Sequence, residues 1–155
     1  MIFKQNIHSI ILTILVSAFS CEERNLINDS TVFRYNEHKN INSLDPIFAK
    51  DIANIQAVNQ LFNGLVEMDN QLNVVPSIAK SWEISENGKI YSFKIDTTVK
   101  FHPHPKLMKR NVTAYDFEYS FNRLLDPENA SPGKWVFDKV NTFKAKNDSI
   151  LEIEL

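Results

Sequence analysis

Two histidines stand two residues apart in the run Phe101-His102-Pro103-His104-Pro105, the only closely spaced imidazoles in the chain. Imidazole suits zinc and nickel, so His102 and His104 are candidate metal ligands. A closed site takes about four ligands, and the missing carboxylates or third imidazole would have to come from elsewhere. With a proline after each histidine, the plain reading is a stiff surface loop. Cys21 is the sole cysteine, which excludes an internal disulfide framework and any multi-thiolate metal site. Gly64, Gly88 and Gly133 are the only glycines, too few and too scattered to cradle a phosphate. No Gly-x-Ser-x-Gly nucleophile elbow is present, and Asp45, Asp51 and Asp116 have ready structural roles at a turn and two helix starts. The sequence therefore gives a hydrolase almost no support. No catalytic residue and no cofactor is expected.

The composition fits a binding or structural module. Across 155 residues, 43% are hydrophobic and 23% charged, ordinary values for a globular protein. A net charge of −2 at pH 7 lacks the basic excess that phosphate-backbone binding needs, so no nucleic-acid partner is expected. Residues 1–20 read as an export signal: Lys4 lies in a short polar start, and Ile7 to Phe19 is largely apolar. That apolar run falls short of the roughly 20 residues that span a bilayer. Ser17-Ala18-Phe19-Ser20-Cys21 resembles a bacterial lipobox, with Ala18 where leucine is commonest. That likeness implies lipidation of Cys21, and two acyl chains anchor stably where one is marginal. An ordinary secretory signal with a chance cysteine is the alternative. Residues 21–30 read as a polar tether to the membrane.

Positioning elements follow from local chemistry. Thr31–Tyr35 reads as a strand, and Asp45-Pro46 as a turn. Asp51 is a predicted N-cap for a helix over Ile52–Asn63, with Ile52, Ile55, Val58, Leu61 and Phe62 on one face and Gly64 as a left-handed cap. A strand over Leu65–Met68 precedes a turn at Asp69-Asn70, and Ser77–Lys80 reads as a single helical turn. Trp82 and Ile84, then Tyr91, Phe93 and Ile95, alternate about Asn87-Gly88, which predicts a hairpin with a type I′ turn. Val99–Phe101 reads as a further strand. Thr113 and Asp116 nearly form a capping box for a helix bearing Ala114, Phe117, Phe121, Leu124 and Leu125, ended by Asp126-Pro127. Trp135, Phe137 and Val140 are spaced like a short packing helix, and Ile150–Leu155 alternates like a half-buried strand.

The order Leu44-Asp45-Pro46, LFNGLVEMD (61–69), Val74–Ile95, VKFHP (99–103) and VTAYDFEYSFNRLLDP (112–127) resembles the opening of the family 5 bacterial extracellular solute-binding proteins. These are the oligopeptide, dipeptide and nickel receptors of ABC importers. Asn63-Gly64-Leu65 stands where the family has Glu-Gly-Leu. The run from Asp126 to Pro132 matches oligopeptide-binding members. One departure is clear: His102-Pro103-His104-Pro105 replaces Asp-Gly, and Lys106 to Asn111 forms a longer basic insert.

The resemblance implies an α/β fold, a mixed sheet with flanking helices. It would form the N-terminal part of a two-lobed type II periplasmic-binding-protein fold, truncated at Leu155 and covering residues 31–155. It further implies that Lys50, Asp51 and Ile52 meet the backbone of a peptide ligand. The implied partners are ABC permease subunits and, through a lipid anchor, the membrane on the periplasmic side of the bacterial envelope. A nickel or other small-solute carrier, sharpened by His102 and His104, and a non-functional remnant are the alternatives. Residue by residue the bland reading competes: Asp51 as cap only, Lys50 solvated, Ile52 in the core.

Overall fold

The computed structural model describes residues 35–37 and 39–155. The export signal, Cys21, the tether and all of the expected first strand except Tyr35 lie outside the described residues. From Glu37 to Leu155 the chain forms one compact unit.

Asp51 caps helix α1 (Ile52–Leu61) as expected, its Oδ1 accepting the Asn54 N–H at 3.1 Å. The helix stops at Leu61, two residues before the expected end, because Phe62 is already extended (φ −128°). Gly64 is not in the left-handed region. Its role is close approach: a Cβ there would lie 3.1 Å from the Val66 carbonyl oxygen. The expected apolar face is corrected too. Val58 is buried, but Ile52 is 67% exposed and Ile55, Leu61 and Phe62 are exposed as well, while Ala53 and Asn54 are the other buried residues. The small residues let the helix approach closely, and its large aliphatics face outward.

Strands β1 (Val66–Met68) and β2 (Val74–Pro76) pair antiparallel across the turn opened by Asp69, whose Oδ1 accepts the Gln71 and Asn73 N–H groups at 2.8 Å each. Ser77-Ile78 then only bends. Strand β3 (Ala79–Ile84) begins at once, and the Ser77, Ile78 and Ala79 N–H groups donate to the Gly64 and Leu65 oxygens at 2.9–3.2 Å, which holds this stretch against the segment before β1 in place of a helical turn.

The hairpin between β3 and β4 (Ile90–Ile95) forms in the expected register, Trp82 opposite Phe93 and Ile84 opposite Tyr91. Its turn differs from type I′. Gly88 alone has positive φ (69°), and its N–H closes onto the Ser85 oxygen at 2.8 Å. Nothing lies within 4 Å of a Cβ built there, so a side chain at 88 would be opposed by backbone conformation alone. Gly88→Val is expected to cost about 1–2 kcal/mol. Urea denaturation checks this, and Gly88→Asn, which tolerates the left-handed region, should cost less.

Lys100 makes a single bridge to Asn111 where a strand over Val99–Phe101 is expected. Pro103 and Pro105 carry no N–H, so a ladder cannot extend along that side. Helix α2 (Ala114–Leu125) follows, then strands β5 (Thr142–Asn147) and β6 (Ile150–Glu154). β6 sits between β4 and β5 in a four-stranded sheet of order β3-β4-β6-β5. Among the described residues all its pairings are antiparallel, and most of the expected first strand lies outside them. The β3–β4 and β5–β6 pairs are hairpins that reverse through short loops, whereas β4 and β6 pair across the long segment that carries α2. The α/β class holds.

Register places Trp82, Phe93, Leu151 and Ala145 on one sheet face. Helix α2 packs on that face through Ala114, Phe117 and Phe121, and the core comprises Ala79, Ile95, Ala114, Ala145 and Leu151. Phe121 lies 4.9 Å from Phe137 and 5.4 Å from Phe143 between ring centroids, tying the short 3-10 turn Lys134–Phe137 to the sheet. Trp135 does not join this packing and is 70% exposed. The edge strand β5 is guarded by Glu118 of α2, which accepts the Ala145 N–H at 2.8 Å and pairs with Lys144 at 3.1 Å.

At the start of α2, the Thr113 N–H donates to Asp116 Oδ2 at 2.8 Å, and Arg110 clasps the same carboxylate at 2.8 and 2.6 Å. Burial pushes the Asp116 carboxyl up, but these bonds more than offset it and hold the group below the usual carboxylate range. Asp45, Asp51 and Glu118 are likewise held low. A depressed carboxylate contributes stability that is fully present above its unfolded-state value and is lost as pH falls through the folded-state one. The urea midpoint should therefore hold steady from neutrality to the ordinary carboxylate range and fall below it. Asp116→Asn should flatten that acid limb.

Candidate functional site

Residues 42–54 form a short wall whose conformation is set by bonds to distant parts of the chain. Asp45 caps the 3-10 turn Pro46–Phe48, Oδ1 accepting the Ile47 N–H at 3.3 Å. The same carboxylate receives both arms of Arg123 from α2, at 2.9 and 2.5 Å. This two-armed geometry fixes direction as well as distance. The Arg123 hydrogen bonds hold the Asp45 carboxyl low, partly opposed by burial, and in turn raise the guanidinium.

Ser131, itself buried, donates its hydroxyl to the Ile47 oxygen at 2.6 Å. Asn54, 2% exposed, accepts the Asn42 N–H at 3.1 Å through Oδ1. These contacts pin the wall to both α1 and the exit of α2. Sequence reasoning gave Asp45 only a turn and missed Arg123, Ser131 and Asn54. A polar residue inside an amphipathic helix was the one available signal, since the other partners are 78 and 84 residues apart.

Beside the wall lies an open hollow of about 360 Å³, lined by Asn42, Ser43, Phe48, Lys50, Asn54, Ala130 and Pro132. Of the expected ligand residues, Lys50 lines it and is exposed. Asp51 does not line it, and its carboxylate is engaged by the Asn54 N–H and by Lys39 at 3.5 Å. Ile52 points to solvent rather than the core and is also outside the lining.

A second hollow, about 260 Å³ and mostly apolar, lies between the end of α1, Phe101 and α2. Its one carboxylate, Asp116, is already committed to Arg110. His102 and His104 are exposed, and His104 Nδ1 accepts the Lys106 N–H at 3.2 Å. Among the described residues no group of three or more His, Cys, Asp or Glu side chains could hold a metal ion. The described residues thus offer an open recess with the exposed Lys50 in its lining.

Residues 73–155 match the family model for bacterial extracellular solute-binding proteins, family 5 middle. The chain is 39% identical over 101 residues to the probable deoxycholate-binding periplasmic protein YgiS of Escherichia coli, covering 65% of this chain and 18% of that protein. It is 37% identical over 93 residues to the periplasmic murein peptide-binding protein MppA of the same species, covering 60% of this chain and 16% of the relative. Among solved structures, Listeria monocytogenes OppA bound to peptide superposes with a TM-score of 0.69 at 26% identity, over 77% of this chain and 26% of that one. The match thus spans about a sixth of the length of these curated relatives. By the family match and the shared α/β architecture, it belongs to family 5 of the bacterial extracellular solute-binding proteins.

Proposed function

We propose that this chain forms one wall of a peptide receptor that serves an ABC importer, held at the periplasmic side of the envelope by lipid on Cys21. A peptide lies extended against residues 48–54, with Lys50, Asp51 and Ile52 nearest its backbone. Lys50 offers an exposed ammonium to a peptide carbonyl or carboxylate. Asp51 acts mainly by shaping the backbone it caps, and Ile52 offers apolar contact. The opposite wall belongs to the portion of such receptors that this chain does not cover. Main-chain pairing of an extended peptide gives affinity with little side-chain selectivity, as a receptor for many peptides requires. No bond is made or broken, so the protein acts as a binder and not as an enzyme.

The observation that carries this reading is the pinned wall with Lys50 at its hollow, in a chain similar to peptide-binding relatives. Adding short peptides to the protein that carries this chain should change its tryptophan fluorescence saturably. No response to any peptide in a diverse library would contradict it. Lys50→Gln should weaken binding about fivefold, the scale of one charge-assisted hydrogen bond at a half-solvated site. Calorimetric titration reads the change. Nickel titration with and without His102→Ala and His104→Ala separates a metal carrier from this reading.

A further inference from the structure

The loop between Lys100 and Asn111 is unused by the site above. Its base is fastened. Lys100 bridges Asn111, the Phe101 N–H reaches the Arg110 oxygen at 3.3 Å, and the Val112 N–H reaches the Val99 oxygen at 2.8 Å. Arg110 is clasped by Asp116 and lies 4.3 Å over the Phe101 ring. The tip is turned by the Leu107 N–H donating to the His104 oxygen at 3.2 Å. Exposure at the tip is therefore built in and does not come from a frayed end.

Two large apolar side chains stand at that tip, Leu107 at 70% exposure and Met108 at 92%. Isolated surface aliphatics need no explanation, but an adjacent pair at the apex of a braced loop is a different case. The run from Lys100 to Arg110 holds Lys100, Lys106, Lys109 and Arg110 and no acidic residue, within a chain of net charge −2. Lys100, Lys106 and Lys109 make no ion pair among the described residues. Apolar tips flanked by long cationic stems suit a lipid–water boundary, where the tips reach acyl chains and the ammonium groups meet phosphate. An apolar protein groove would satisfy Leu107 and Met108 but leave the lysines without a counter-charge.

We infer that the Lys100–Asn111 loop docks on an anionic lipid surface, with Leu107 and Met108 entering the interface and Lys100, Lys106 and Lys109 pairing with headgroup phosphates. This contact is additional to any anchor at Cys21 and independent of peptide capture.

The test places an environment-sensitive thiol label through Met108→Cys in a Cys21→Ser background, with Leu72→Cys as a control at another exposed loop. Vesicles of phosphatidylglycerol should blue-shift the label at 108 and leave that at 72 unchanged. Phosphatidylcholine vesicles should shift neither, which separates loop docking from insertion of the apolar amino terminus into any bilayer. Replacing Lys100, Lys106 and Lys109 with glutamine should weaken the response roughly fivefold per lysine. A label at 108 that stays in water on anionic vesicles overturns the inference. So does a shift seen only with membranes containing protein, which would assign the tip to a protein partner.

Discussion

Leu151→Ala is expected to be the most damaging single substitution in the described unit, costing about 2–5 kcal/mol. Leu151 is fully buried, the largest side chain so placed. It lies in β6, one of the two inner strands, opposite Phe93 on one side and Ala145 on the other. The neighbours cannot close the gap readily, because Ala145 is small and Phe93 is held against Trp82 and the core. Domains of this kind are stable by only about 5–15 kcal/mol, so the loss would shift the urea midpoint visibly. Leu151→Met, nearly equal in volume, should cost less than about 1.5 kcal/mol. A loss under about 1 kcal/mol for the alanine variant would mean that the sheet and α2 do not enclose this position.

The second large effect is functional. Asp45→Ala removes the cap of the Pro46–Phe48 turn and leaves both arms of Arg123 without their partner. The wall then has to be ordered when peptide binds, and that ordering is subtracted from affinity. Peptide binding should weaken roughly tenfold, mainly through faster release. Arg123→Met should do nearly the same, and the double variant little more than either alone, since both cut one interaction. Calorimetric titration of the four proteins checks this. Additive losses would show that Asp45 and Arg123 act on the wall separately.

Local chemistry made much of the fold legible, and long-range geometry hid the rest. Asn87-Gly88, Thr113 with Asp116, and Asp126-Pro127 each state a local conformation, and each element formed where they place it. Strand β5 was missed because TFKAKN carries only Phe143 and a small Ala145 on its inner face, too little apolar alternation to stand out. The burial of α1 was misread because periodicity finds large aliphatics, whereas the packed side uses Ala53 and Asn54. At the proposed site, the resemblance alone suggested Lys50. The brace that holds it in place joins Asp45 to Arg123, and no spacing rule connects residues that far apart in sequence.

Peptide capture at residues 48–54 is most directly tested by photo-cross-linking. A short peptide carrying a benzophenone side chain is bound to the protein, irradiated, and its attachment sites are read by mass spectrometry. Saturable labelling within Phe48–Asn54 is expected, competed away by unlabelled peptide and reduced by Asp45→Ala. Competable labelling confined to other segments, or none at all, would contradict it.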